Sequence, residues 1–173
     1  HPSSTIITTY PCELITTEKN IYGHIILTNN FLLFEHLHDD PRTSTNISLQ
    51  LSYIFSSLEN DIITKDKQIC IFYTTIKELL TRRFLFMWQG IEMYLRDGRS
   101  YFFNFFSEAE QLRFAQALQL TVRSCAPSTE IKTVLSVEAI AKEVKHAQSM
   151  WSKGTISVYD YLLLMNKYGS RTF

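Results

Sequence analysis

Along residues 5–105 the apolar positions recur in short runs with a period near two, the spacing that sends alternate side chains to one face of a strand. Residues 5–16 are rich in Thr, Ile and Tyr, which suit a pleated, half-buried surface. Residues 21–28 and 31–36 are two further runs. They are joined by Asn29-Asn30, a pair that tolerates positive φ and predicts a tight hairpin. Residues 37–66 break the pattern with Asp39-Asp40-Pro41, many Ser and Thr, and little periodicity. They predict a long insertion loop holding a short apolar helix over 48–58. Strand patterning resumes over 68–73, 76–80, 82–86 and 90–105. In the last of these, Asp97-Gly98 divides two β-rich runs and predicts a type I′ turn, with positive φ at both central residues.

After residue 105 the period changes. Ser107 followed by Glu110 is a capping box. Ala109, Leu112, Ala115, Leu118 and Val122 then recur at helical spacing, and the helix should end before Pro127. The expected fold is mostly β, a seven-stranded barrel or sandwich over residues 5–125 capped by a C-terminal α-helix. Residues 126–136 read as a linker. Ser136 opens a second helix, with Ala139, Ile140, Val144, Ala147 and Met150 or Trp151 on one side. Gly154 ends it, and Ser157 opens a third helix, apolar at Tyr161, Leu162, Met165 and Tyr168. Two short helices so rich in Trp, Tyr and Leu need a partner surface.

Charge narrows the function classes. The 17 basic and 17 acidic residues cancel, which disfavours a nucleic-acid binder. Residues 1–66 carry three basic and eight acidic groups, 67–125 eight and five, and 126–173 six and four. A negative start beside a positive middle can steer an acidic partner. No apolar run approaches the roughly 20 residues of a membrane span. Three widely spaced cysteines (Cys12, Cys70, Cys125) make neither a disulfide framework nor a zinc pair, and a reducing compartment is the simple reading. Cys12 and Cys70 lie in apolar runs and are expected to be buried thiols.

Candidate chemistry is sparse. His36-Leu37-His38 beside Asp39-Asp40 has zinc-compatible residue types, but no second ligand pair at a fixed spacing, so a solvated strand end is the reading. No nucleophile elbow and no phosphate-cradling glycine loop occur, and neither a cofactor nor a catalytic constellation is expected. Asn46-Ile47-Ser48 is a glycosylation sequon, idle in an intracellular protein. Arg82 and Arg83 occupy adjacent strand positions, so their side chains should leave opposite faces and one should be free for an acidic partner. Phe84, Phe86, Trp88, Tyr94, Tyr101, Phe103 and Phe105 make an aromatic sheet, most of one face being core, with any excess available for docking.

The segment from Trp151 through Gly154, Ile156-Ser157, Tyr159, Tyr161-Leu162 and Asn166 to Gly169 and Arg171 resembles the opening of a BEACH domain. It departs from that family at 168–173, where Tyr-Gly-Ser-Arg-Thr-Phe stands for an Ala-Gly-Arg-Ser-type stretch. Upstream, Cys12–Ile15, Gly23–Thr28, Phe31–Phe34, Ile76–Leu79, Arg82–Leu85, Gly90–Leu95 and Asp97–Ser100 resemble the divergent pleckstrin-homology (PH-like) domain that precedes BEACH in neurobeachin- and Beige-type proteins. The resemblance implies a PH-like domain followed, over 137–173, by a truncated BEACH start, so that the chain reads as a fragment of a very large protein. It further implies a non-catalytic scaffold in vesicle trafficking and membrane dynamics, cytoplasmic and peripheral to intracellular membranes such as those of lysosomes or endosomes. The partners implied are the BEACH core of the same polypeptide and other trafficking proteins, with membrane association indirect and no nucleic acid. The residues expected at the protein interface are Arg82, Arg83, Trp151, Tyr159, Tyr161, Asn166 and Arg171.

A different class of function is a phosphoinositide-reading PH domain. Such domains place Lys and Arg around the first two strands and the loop between them. Here that region offers only Lys19 and His24, with Glu18 opposing, which is a thin clamp. A membrane-reading domain would use Lys19, Arg82, Arg83 and their neighbours.

Overall fold

The structure, a computed structural model, describes residues 5–37 and 68–169. The expected 48–58 helix, the Asn46 sequon, His38, Asp39, Asp40 and Arg171 lie outside the described residues. Among the described residues the first seven strands are antiparallel: β1 (Ile6–Ile15), β2 (Asn20–Thr28), β3 (Phe31–His36), β4 (Gln68–Phe72), β5 (Ile76–Phe84), β6 (Met87–Leu95) and β7 (Ser100–Asn104). Helix α1 (Glu108–Cys125) comes next, then a short strand β8 (Lys132–Val134) and helices α2 (Val137–Ser152) and α3 (Val158–Tyr168). The sheet order is β4-β3-β2-β1-β7-β6-β5-β8, and the sheet does not close on itself. The fold is mostly β and PH-like with a helix after the seventh strand, as expected, but the sheet has eight strands among the described residues and is open where the sequence predicts a seven-stranded barrel or sandwich.

Alternation builds the core. Cys12 and Leu14, Ile25 and Leu27, Leu32 and Phe34, Ile91, Met93 and Leu95, and Phe103 and Phe105 all face one cluster, which α1 covers. Phe114 of α1 stacks on Phe105 at 4.6 Å and meets Tyr10 edge-on at 5.6 Å. Ser107 caps α1 as expected: its Oγ accepts the Glu110 N–H at 3.2 Å and donates to the Glu110 carboxylate at 3.3 Å.

Several expectations are corrected. Residues 76–80 and 82–84 are one strand, β5, and Leu85-Phe86 form the turn that follows it. The helix buries Ala115, Leu118 and Val122 as expected, but its inner face is shifted: Gln111, Phe114 and Thr121 join them, whereas Ala109 is exposed and Leu112 is 41% exposed. Cys70 is exposed, because β4 alternates Ile69 and Ile71 inward with Cys70 and Phe72 outward; Cys12 is buried, and burial pushes its thiol pKa up. The Asn29-Asn30 link lacks positive φ; instead the Thr28 hydroxyl accepts the Asn30 and Phe31 N–H groups and donates to the Phe31 carbonyl. At Asp97-Gly98 only the glycine has positive φ, and Leu95 pairs with Arg99 beyond it, so the connection is three residues long rather than a two-residue type I′ turn. The two-residue loop with positive φ at both positions is instead Leu85-Phe86, between β5 and β6.

The span read as a linker holds β8, which pairs in parallel with β5 through Glu78↔Lys132, Leu79↔Thr133 and Leu80↔Val134. Arg96 anchors the approach to it, donating to the carbonyls of Thr74 and Glu130, both at 3.1 Å.

Candidate interaction surface

The β5–β6 ladder has two covered faces. Its inner face joins the main core. Its outer face carries Leu80, which with Val134, Ile140 and Tyr168 forms a second apolar cluster, flanked by Trp88, Tyr94, Val144 and Leu164. The C-terminal segment β8–α2–α3 is therefore packed onto the PH-like sheet. Ser136 and Ser157 cap its helices by accepting the N–H groups of Ala139 and Asp160, both at 3.1 Å. Gly154, with φ +69°, supplies the left-handed residue that lets α2 stop and the chain reverse. The reversal stacks Trp151 on Tyr161 at 4.9 Å.

Charged groups lock this packing. Arg82 is buried at 4% exposure. Its Nε meets the Glu92 carboxylate at 2.5 Å, one terminal nitrogen donates to the Tyr94 hydroxyl at 3.0 Å, and the other donates to the main-chain carbonyl of Lys167 on α3. Lys167 in turn pairs with the buried carboxylate of Glu78 and lies 4.9 Å over the Tyr94 ring. Burial, reinforced by the neighbouring Glu92 charge, pushes Tyr94 up to about 12, so its hydroxyl stays protonated through the physiological range. Lys132 and the Tyr168 hydroxyl share the Glu143 carboxylate at 2.5 and 3.0 Å. Sheet residues 78, 82 and 94 thus bind the backbone and side chains of α3.

The two arginines do separate, one buried and one exposed. The exposed one, Arg83, has its guanidinium 4.6 Å over the Trp88 ring. Of the other expected interface residues, Trp151 and Tyr159 are 42% and 71% exposed, while Tyr161 and Asn166 are half-buried. Val158, Leu162 and Leu163 add exposed apolar surface to α3. The aromatic sheet divides: Phe103 and Phe105 are core, Phe84, Trp88, Tyr94 and Tyr101 are half-buried, and Phe86 is 93% exposed. The interface role of Glu78 and Glu92 is not among the sequence expectations, which name Tyr94 only as part of the aromatic sheet; the alternation at 78, 80, 82 and 92, 94 on adjacent runs is the signal that carries it.

The expected lipid clamp is corrected in one member. Lys19 is exposed in the β1–β2 turn, where its N–H bonds the Thr16 hydroxyl. His24 is 5% exposed, its Nε2 has no hydrogen-bond partner among the described residues, and burial pulls its pKa down. A buried neutral imidazole cannot reach a phosphate. Its depressed folded-state pKa means that the unfolded chain takes up the proton first as pH falls. Stability from His24 burial is therefore full above the ordinary value of 6.5 and declines below it. We predict that the melting temperature drops on acidification from pH 7 to 5, and that His24→Leu flattens this part of the profile; an unchanged slope would refute the assignment. Among the described residues no cluster of His, Cys, Asp or Glu is arranged to hold a metal, and no helix is long and apolar enough to cross a membrane.

The family of PH domains associated with Beige/BEACH matches residues 12–119, well over half of the chain. The chain belongs to this family. No curated protein matches it. Among solved structures, the C-terminal domain of an unknown protein from Leishmania infantum is similar over 69% of this chain and 85% of its own, with 11% identity and a TM-score of 0.47. An N-terminally truncated linker-DH/PH fragment of p115-RhoGEF is similar over 72% of this chain and 30% of that fragment, with 11% identity and a TM-score of 0.46. The Slm1 PH domain in complex with phosphoserine is similar over 67% of this chain and 94% of its own, with 12% identity and a TM-score of 0.44. In this BEACH-associated PH domain the matched residues end within α1, so the β8–α2–α3 segment on its outer face lies beyond the match.

Proposed function

We propose that this BEACH-associated PH domain is a non-catalytic interaction module that holds the start of a BEACH domain of the same polypeptide and presents it to the rest of that domain. The observation that carries this reading is the arrangement of α3. One side is fastened to the sheet by Arg82, Glu78 and Tyr94, while Val158, Tyr159, Leu162 and Leu163 stay exposed. A helix fixed along one side and apolar on another is a preformed docking element, which lowers the ordering cost of assembly. Tyr159, Trp151 and Tyr161 are the aromatic anchors of the proposed interface, of the kind that dominates binding energy. By the resemblance of the sequence, the assembled unit would act with other proteins in vesicle trafficking and membrane dynamics, in the cytoplasm at the periphery of intracellular membranes. The phosphoinositide reading has less support, since His24 is buried and Lys19 stands without it.

The test supplies the remainder of the BEACH domain in trans and measures its binding to the 173-residue chain by calorimetry. Binding is expected, weakened at least about tenfold by Tyr159→Asp or Leu162→Asp, the usual scale for a buried anchor. No association in trans, together with no co-purification of the two parts when co-expressed, would overturn the reading.

A further inference from the structure

The β5–β6 hairpin ends in a feature that the packing of α3 does not use. Leu85, Phe86 and Met87 are consecutive and 75%, 93% and 59% exposed. Leu85 and Phe86 have φ of +47° and +70°, in the left-handed region that Gly, Asn and Asp ordinarily occupy in a two-residue loop. Large apolar residues are the costly choice there on two counts, backbone strain and exposure to water. Such strain is typical of sites whose side chains have a task outside the fold.

The surroundings specify the task. Between Glu78 and Glu92 the sequence has no carboxylate, and those two are occupied by Lys167 and Arg82. At the base of the tip Arg83 is exposed with its guanidinium over Trp88, a cation and an amphipathic ring side by side. Trp favours the level of lipid headgroups, and Arg pairs with anionic ones. The tip is only two residues wide at its turn. A protein partner of ordinary kind needs a broad complementary area of 20–30 residues a side. A bilayer accepts a narrow wedge without shape complementarity. The tip is also remote from Lys19: β7 begins beside the end of β1, through Phe102↔Ile15, whereas the tip lies beyond the Gly90↔Asn104 end of the β6–β7 ladder.

We propose that the β5–β6 tip is a lipid-inserting wedge, with Leu85, Phe86 and Met87 entering the acyl boundary of an anionic membrane and Arg83 and Trp88 at its headgroups. This contact is direct and independent of phosphoinositides.

The experiment is flotation of the 173-residue chain with phosphatidylcholine vesicles, with and without phosphatidylserine and with and without phosphoinositides. The double variant Leu85→Asn/Phe86→Gly keeps the two-residue loop in its preferred residues, so it should melt above the wild type. It should bind phosphatidylserine vesicles on the order of a hundredfold more weakly, having lost two inserting side chains. Arg83→Ala should weaken binding and its salt dependence, Lys19→Ala should leave it unchanged, and phosphoinositides should add nothing beyond their charge. Trp88 fluorescence, read in a Trp151→Phe background, should be quenched by lipids brominated near the headgroup. Wild-type binding by the double variant, no vesicle binding at all, or binding that requires Lys19 and a phosphoinositide would overturn the proposal. So would a tip whose substitution abolishes only capture of the BEACH remainder, which would assign it to a protein interface.

Discussion

Replacing Arg82 with alanine is expected to release α3 from the sheet and to destabilise the chain by about 3–5 kcal/mol, the range seen when one member of a buried ion pair is removed. Three acceptors on two elements lose their donor at once: the Glu92 carboxylate and the Tyr94 hydroxyl on β6, and the Lys167 carbonyl at the end of α3. Glu92, 19% exposed, gains access to water if α3 moves away, so part of the loss should appear as undocking rather than global unfolding. Hydrogen exchange separates the two. Amides of β8 and α3 should exchange much faster in Arg82→Ala, while those of β1, β2 and α1 follow the global stability. Lysine should not restore the contact, because a single ammonium cannot reproduce a fork aimed at three acceptors. Retained protection across α3 would show that the apolar cluster around Leu80 and Tyr168 holds the helix without Arg82. Loss of Arg82 should also weaken the proposed assembly with the BEACH remainder, since a mobile α3 must be ordered again on binding.

Much of this arrangement was open to a sequence reading, and the parts that were not share a physical origin. Strand runs, the Ser107 capping box and Gly154 as a break rest on local signals that the structure follows, whereas the turn types expected at Asn29-Asn30 and Asp97-Gly98 do not form. The separation of Arg82 from Arg83 also follows from alternation. That Arg82 is the buried one depends on a helix 85 residues away, which no local pattern encodes. β8 is three residues long, too short for a period, and exists because β5 offers it a parallel edge. Leu85-Phe86 violates the residue preference of its loop, so a reading by preference extends the strand through it. Cys70 departs for the opposite reason: an apolar run predicts two-sided burial, whereas an edge strand buries one side of its alternation.

The helix that covers the sheet supplies the second large effect, and it discriminates between two settings of a face that share Ala115, Leu118 and Val122. Spacing from Ala109 predicts a buried stripe through Leu112, whereas the structure turns α1 so that Phe114 enters the core at 0% exposure. Phe114 touches Phe105 on β7's continuation and Tyr10 on β1, bridging strands adjacent in the sheet. Gln111, one turn earlier on the same face, is buried by donating to the Thr81 hydroxyl at 3.1 Å, which explains how a polar residue lies on the inner side. A stripe counted only from aliphatic residues misses both. Phe114→Ala should cost about 3–5 kcal/mol through lost burial and the cavity left behind. With roughly 2–4 °C of melting temperature per kcal/mol for a chain of this size, the midpoint should fall by roughly 6–20 °C. Leu112→Ala should cost less than about 1 kcal/mol, because much of its side chain is already in water. Denaturation of the two variants side by side decides the register of α1. If Leu112→Ala proved the more damaging, α1 would have to rotate toward the face its aliphatic spacing suggests, and the Gln111–Thr81 bond could not form.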